Sequence, residues 1–157
     1  MNRNGEIIII EDNEEDRNVL EYVFEKLSYP NRRAYFKDGA SVSAYLKAPY
    51  DKPFLILSDI NLPYLDGVDL NTQLSTDIEI RRTGIPYLYL TKESTHGLII
   101  DVYSKLAQGF FIKPSSPKDL ISTLKTIIDY WRVCAIPFNS DDPCSEHLNQ
   151  QPSVRQQ

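Results

Sequence analysis

Short apolar runs alternate along this chain with segments whose apolar residues recur at helical spacing. Residues 6–10 read EIIII, a continuous apolar run that fits a strand buried on both faces. The period then changes. Leu20, Val23, Phe24 and Leu27 stand at i, i+3, i+4 and i+7, which predicts an amphipathic helix over residues 14–27. Asn13 is its candidate N-cap, and the acidic residues after it suit the positive end of the helix dipole. A weaker strand over 33–36 follows, and Asp38-Gly39 turns the chain into a short helix over 40–47. Phe54 to Ser58 is the next buried strand, with a helix expected over 67–76. Pro86 to Leu90, a helix over 94–106 and the strand Phe110–Ile112 come next. Ser116-Pro117 then opens a last helix that lines up Leu120, Leu124, Ile127, Ile128 and Trp131 on one face.

A β-α unit is thus repeated five times. Such alternation predicts an α/β domain with a five-stranded parallel sheet, helices on both faces and right-handed crossovers. The domain is expected to occupy residues 1–133. Residues 134–157 shift to Pro, Asp, Asn, Gln and Ser, and read as an extended or disordered tail too short to fold alone.

Composition narrows the function. The chain is 41% apolar and 25% charged, ordinary for a folded domain, with a net charge of −5. That acidic balance disfavours nucleic acid as a partner, because phosphate backbones attract Lys/Arg patches. No apolar run approaches the length of a membrane span, so no membrane role and a cytoplasmic location are expected. Cys134 and Cys144 are expected to be free thiols.

The carboxyl ends of the strands carry the chemistry, because open parallel sheets bind ligands there, where strand order reverses. The first strand ends in Glu11-Asp12, the third in Asp59 with Asn61 two residues on, the fourth in Thr91 and the fifth in Lys113. Taken singly, each residue has an ordinary reading: a helix-start charge, a turn residue, a solvated lysine. Asp66-Gly67 is read as a plain turn. Together they form a rim of three carboxylates, a hydroxyl and an ammonium. Carboxylates so close repel by up to about 4 kcal/mol per pair at an effective dielectric of 20. A Mg²⁺ ion would offset that repulsion, since it takes oxygen ligands and tolerates a phosphate oxygen in its shell. Metal and lysine together suit phosphoryl transfer onto a carboxylate, with Asp59 as the nucleophile.

On Glu11-Asp12-Asn13, on Asp59 within SDINLPYLDG, on Thr91 and on Lys113-Pro114, the chain resembles the receiver domain of two-component response regulators. The resemblance covers residues 5 to about 133 and extends to stand-alone receivers that serve phytochrome-type or hybrid sensor kinases. It implies a three-layer, flavodoxin-like (βα)5 fold with strand order 2-1-3-4-5. It implies that Asp59 accepts a phosphoryl group and that Thr91 and Lys113 bind it. Asp12, Asp59 and the Asn61 carbonyl would ligate Mg²⁺ directly, with Glu11 holding metal-bound water. The Lys113–Pro114 bond would be cis, and Phe110 fills the position of the aromatic switch. The implied partners are a sensor histidine kinase and a protein that receives the output. The implied chemistry is self-phosphorylation from a donor and autodephosphorylation, not turnover of outside substrates.

Three positions depart from that pattern. Lys92 follows Thr91 where a small residue is usual, Leu106 stands in place of a glycine, and Phe110 lacks a tyrosine's hydroxyl. Lys92 either stands beside the phosphate pocket, slowing a donor or a water, or points into solvent. A phosphorylation-independent binding module on the same fold remains the alternative reading. A flavin-binding or phosphatase-type enzyme is a third, against which Glu11-Asp12 would repel a phosphate after the first strand. Residues 94–133, with Tyr103, Tyr130 and Trp131, are a candidate homodimer face.

Overall fold

The computed structural model describes residues 2–47, 53–62, 67–77, 84–92, 95–104 and 107–134. Within them five strands alternate with five helices. The strands are β1 (Ile7–Ile10), β2 (Arg33–Phe36), β3 (Leu55–Ser58), β4 (Tyr87–Thr91) and β5 (Gly109–Ile112). The helices are α1 (Glu14–Leu27), α2 (Gly39–Lys47), α3 (Gly67–Thr76), α4 (His96–Ser104) and α5 (Pro117–Val133). All strand pairs are parallel and their order is β2-β1-β3-β4-β5. That is the expected three-layer, flavodoxin-like arrangement.

The burial of each strand follows its place in the sheet. Every residue of β1, β3 and β4 is buried, as their unbroken apolar runs require. The edge strands β2 and β5 are only partly covered. Alternate residues feed two separate cores. Ile7, Ile9, Leu55, Leu57, Leu88 and Leu90 pack beneath α1 and α5. Ile8, Ile10, Ile56, Tyr87 and Tyr89 pack on the other face, where Val42, Val68, Leu70, Leu74 and Val102 cover them from α2, α3 and α4.

Local chemistry sets the helix ends. Asn13 caps α1 as expected: its side-chain oxygen accepts the Asp16 N–H at 3.0 Å. The helix stops at Ser28, which takes the left-handed conformation (φ 53°) and returns its N–H to the Phe24 carbonyl. Asp38 does more than turn the chain. It accepts the N–H of Ser41 at 2.8 Å and also its hydroxyl, in the manner of a helix cap. At the end of the sheet away from the rim, buried Asn31 donates to the carbonyls of Arg3 and Gly5, and its own oxygen accepts from Arg132 at 2.7 Å. One amide thereby ties the N-terminal segment to α5.

Several expectations are corrected in detail. No peptide bond among the described residues is cis, so the Lys113–Pro114 bond is trans and not the cis bond the resemblance implied. Trans is the lower-energy form of an X–Pro bond by about 0.5–1 kcal/mol, and in this conformation the Lys113 N–H still reaches the Thr91 carbonyl. The fourth strand begins at Tyr87 and not Pro86, and it includes Thr91. The fifth strand gains Gly109 and ends at Ile112, one residue before Lys113. Cys134 is a free thiol. Leu106, Asp66, Cys144 and the rest of the tail from residue 135 lie outside the described residues.

Candidate functional site

The strand order creates the site. Between β1 and β3 the direction of strand addition reverses, which leaves a crevice beyond their carboxyl ends. The ladder carries the chain directly into it. Ile10 pairs with Ser58, so Glu11 and Asp59 emerge side by side. The Glu11 N–H is held by the Phe36 carbonyl at 3.0 Å, the Asp59 N–H by the Ile10 carbonyl at 2.9 Å and the Lys113 N–H by the Thr91 carbonyl at 2.8 Å. These three rim residues are therefore anchored by their own backbone.

Lys113 is the electrostatic centre. Its side chain is only 3% exposed, and its ammonium lies 2.6 Å from Glu11 Oε2 and 3.1 Å from Asp16 Oδ2. The other Glu11 oxygen accepts the Asn13 N–H at 3.1 Å. Burial pushes the Glu11 carboxyl above the ordinary glutamate range. The bond and charge of Lys113 pull it back, and the nearby Asp59 charge pushes it up again. Asp16 behaves in the opposite way. Burial would raise it, but hydrogen bonds from Lys92 and Lys113 together outweigh that and hold it below the usual carboxylate range.

Asp59 is half-buried. Its Oδ1 accepts the Ile60 N–H at 2.6 Å and stands 3.4 Å from the Asn61 N–H, while Oδ2 lies outside those two bonds. The Ser58 hydroxyl donates to the Asp59 carbonyl at 2.7 Å and fixes the turn. Thr91 is buried at the end of β4, while Asp12 and Asn61 are exposed. Phe110 is partly buried against the core beneath α2, α3 and α4.

The structure brings Glu11, Lys113 and Asp59 into one electrostatic cluster with Thr91 at its edge. Asp12 and Asn61, which follow Glu11 and Asp59 closely in the chain, are exposed. Two features were not anticipated. Asp16 joins the site, although only its helix-start charge was noted. Its spacing carried a signal: one helical turn after Asp12, with side chains in a first turn tilted back towards the N-terminus, it points to the rim. Lys92 is neither a bystander in solvent nor packed into the pocket. It is 64% exposed, yet its ammonium reaches Asp16 Oδ1 at 2.8 Å, and the charges of Glu11 and Asp59 also act on it.

Among the described residues no three His, Cys, Asp or Glu side chains form a ready-made metal cage. A Mg²⁺ ion does not need one, since it is bound through one or two carboxylates and keeps several waters. The donors here fit that pattern. Asp12 and Asp59 supply hard carboxylate oxygens just after β1 and β3. Oδ2 of Asp59 lies outside the backbone contacts made by Oδ1, and the Asp12 side chain is exposed, so both can offer oxygen to a cation.

Residues 7–125 match the family model for the response regulator receiver domain. This chain belongs to the response regulator receiver domain family. A receiver is a phospho-accepting signalling domain of two-component systems. A probable methanogenesis regulatory protein, FilR2, of Methanothrix harundinacea is 29% identical over 80% of this chain and 82% of its own length. The response regulator Rcp1 of Synechocystis is 25% identical over 80% of this chain and 87% of its own. The crystal structure of Rcp1 in its Mn²⁺-bound form superposes with a TM-score of 0.71, covering 84% of this chain and 98% of that one at 25% identity. The fold is also that of the phosphorylated cyanobacterial phytochrome response regulator RcpA, with a TM-score of 0.75, 24% identity and coverage of 85% and 98%. The receiver is thus similar in sequence to Rcp1 and in fold to both Rcp1 and RcpA. Among its described residues no helix is long and apolar enough to cross a membrane.

Proposed function

We propose that this receiver is a phosphorylation-driven regulator in the cytoplasm that takes a phosphoryl group from a sensor histidine kinase onto Asp59. The observation that carries the reading is the placement of Asp59 at the reversal of strand order, with one carboxylate oxygen held by the backbone and the buried Lys113 ammonium in the same cluster. The binding of Mn²⁺ by Rcp1 supports a metal in the corresponding crevice, since Mn²⁺ and Mg²⁺ share octahedral oxygen coordination. Mg²⁺ held by Asp12, Asp59 and the Asn61 carbonyl, with Glu11 on its water, would neutralise charge on the phosphoryl oxygens.

The chain's own residues do the rest. Asp59 Oδ2 attacks the phosphorus of a phosphohistidine. The new O–P bond forms as the P–N bond breaks, and the imidazole nitrogen keeps the bonding pair. Lys113 and the Thr91 hydroxyl bind the transferred oxygens through charge-assisted contacts. Hydrolysis reverses the state: water bonds to phosphorus, the P–O bond to Asp59 breaks, and inorganic phosphate leaves. In between, drawing Thr91 and Lys113 towards the phosphoryl group biases the face formed by α4, β5 and α5. That face carries exposed Ile100, Tyr103, Ile112 and Tyr130, which suits a protein output partner or a second copy of the chain.

The test is intact mass after incubation with acetyl phosphate and Mg²⁺. The expected result is one phosphoryl group on the wild type and none on Asp59→Asn. Labelling that persists in the variant would place the acceptor elsewhere. No adduct on the wild type, with Mg²⁺ bound, would favour a phosphorylation-independent binding module.

A further inference from the structure

Asp16 has no part in the phosphoryl-acceptor reading, yet it holds both cations of the rim. Its Oδ2 meets Lys113 at 3.1 Å and its Oδ1 meets Lys92 at 2.8 Å. The two partners are not alike. The Asp16 carboxylate is 15% exposed and the Lys113 side chain is buried. The first turn of α1 is further fixed by the Asn13 cap on the Asp16 N–H. Lys92 is the mobile arm, an exposed ammonium on a flexible four-carbon stem. It follows Thr91 directly, and Asp59 and Glu11 already act on its charge.

We propose that Asp16 is a positioning residue that parks Lys92 away from Asp59 and releases it to the phosphoryl group once Asp59 is modified. The inference rests on the phosphoryl-acceptor reading and adds a control of lifetime to it. An aspartate carries one negative charge and an aspartyl phosphate carries two, so modification strengthens the pull on Lys92 from the Asp59 side. Asp16 keeps its single charge and shares it with Lys113. Lys92 therefore shifts to the phosphoryl oxygens, covers them and hinders the attacking water. In the unmodified protein the same arm is drawn aside, and a donor can enter.

The test is a double-substitution cycle on the half-life of the phosphorylated full chain, loaded with acetyl phosphate and Mg²⁺ and followed by intact mass. Lys92→Ala is expected to shorten the half-life. Asp16→Asn, which frees Lys92, is expected to lengthen it. A change in Asp16 also disturbs Lys113, and Asp16→Asn in the Lys92→Ala background measures that part alone. The effect of Asp16→Asn is expected to differ between the two backgrounds by about two- to five-fold, the range of a partly exposed ion pair. Asp16→Glu, which keeps the charge, should return the half-life towards that of the wild type. Equal effects in both backgrounds would overturn the proposal and leave the phosphoryl-acceptor reading intact. No adduct on the wild type would overturn both. If Asp16→Asn fails to fold, judged by thermal melting, Asp16→Ser, which also removes the charge, gives the same comparison with and without Lys92→Ala.

Discussion

Replacing Lys113 with Met tests how the rim is held together. The ammonium sits between Glu11 and Asp16 in a nearly water-free position. Methionine fills much of the same volume but brings no charge, so Glu11 is left as a buried carboxylate with one backbone donor. Breaking a buried pair by removing one partner costs about 3–5 kcal/mol. For a domain of this size that is a fall in melting temperature of roughly 6–20 °C. The cost has a definite pH dependence. Burial already raises Glu11 above its unfolded value of 4.5, and losing Lys113 raises it further. Such a group binds its proton more tightly in the folded state. Its penalty is therefore absent below the unfolded pKa and grows as pH rises from there through the folded value. Urea unfolding of the metal-free protein at about pH 5 and about pH 7.5 measures both effects. The Lys113→Met loss should be smaller at the lower pH. Glu11→Gln combined with Lys113→Met should recover most of it, because no unpaired charge remains. A loss under about 1 kcal/mol, or a double variant no more stable than Lys113→Met alone, would refute the argument that the ion pair neutralises a buried charge.

Two further outcomes follow from the same structure. Millimolar Mg²⁺ is expected to raise the melting temperature of the wild type, by up to about 2.7 kcal/mol of stabilisation at a hundredfold excess over Kd, and to raise that of Asp12→Asn less; equal shifts in calorimetry would remove Asp12 from the metal site. Asn31→Ala should cost about 2–4 kcal/mol, since it abandons two carbonyls and the Arg132 guanidinium at a buried position; chemical denaturation showing a change within about 0.5 kcal/mol would mean that water replaces the amide.

The layered fold and most of the rim were legible in the chain because they depend on local patterns. The unbroken isoleucines of β1 and the apolar run of β3 announce strands covered on both faces, and the 3.6-residue spacing of Leu20, Val23, Phe24 and Leu27 announces α1. Strand ends are equally local, so the chain itself sets Glu11, Asp59, Thr91 and Lys113 on one rim. Asn13 announced its own capping role by residue type and position.

What the sequence could not supply was the pairing of charges across the rim. Lys113 meets Glu11 from 102 residues away, and Lys92 meets Asp16 from 76. Neither distance leaves a mark in spacing, because the contacts form only when β4 and β5 join the sheet beyond β3 and the segments that follow them reach the first turn of α1. The trans Lys113–Pro114 bond belongs to the same class, since tertiary context selects between two isomers of small energy difference. Sequence alone determined which residues carry charge at the crevice. The tertiary structure decided which charges neutralise one another, because ion pairing depends on distances of a few ångströms that only the packed sheet imposes.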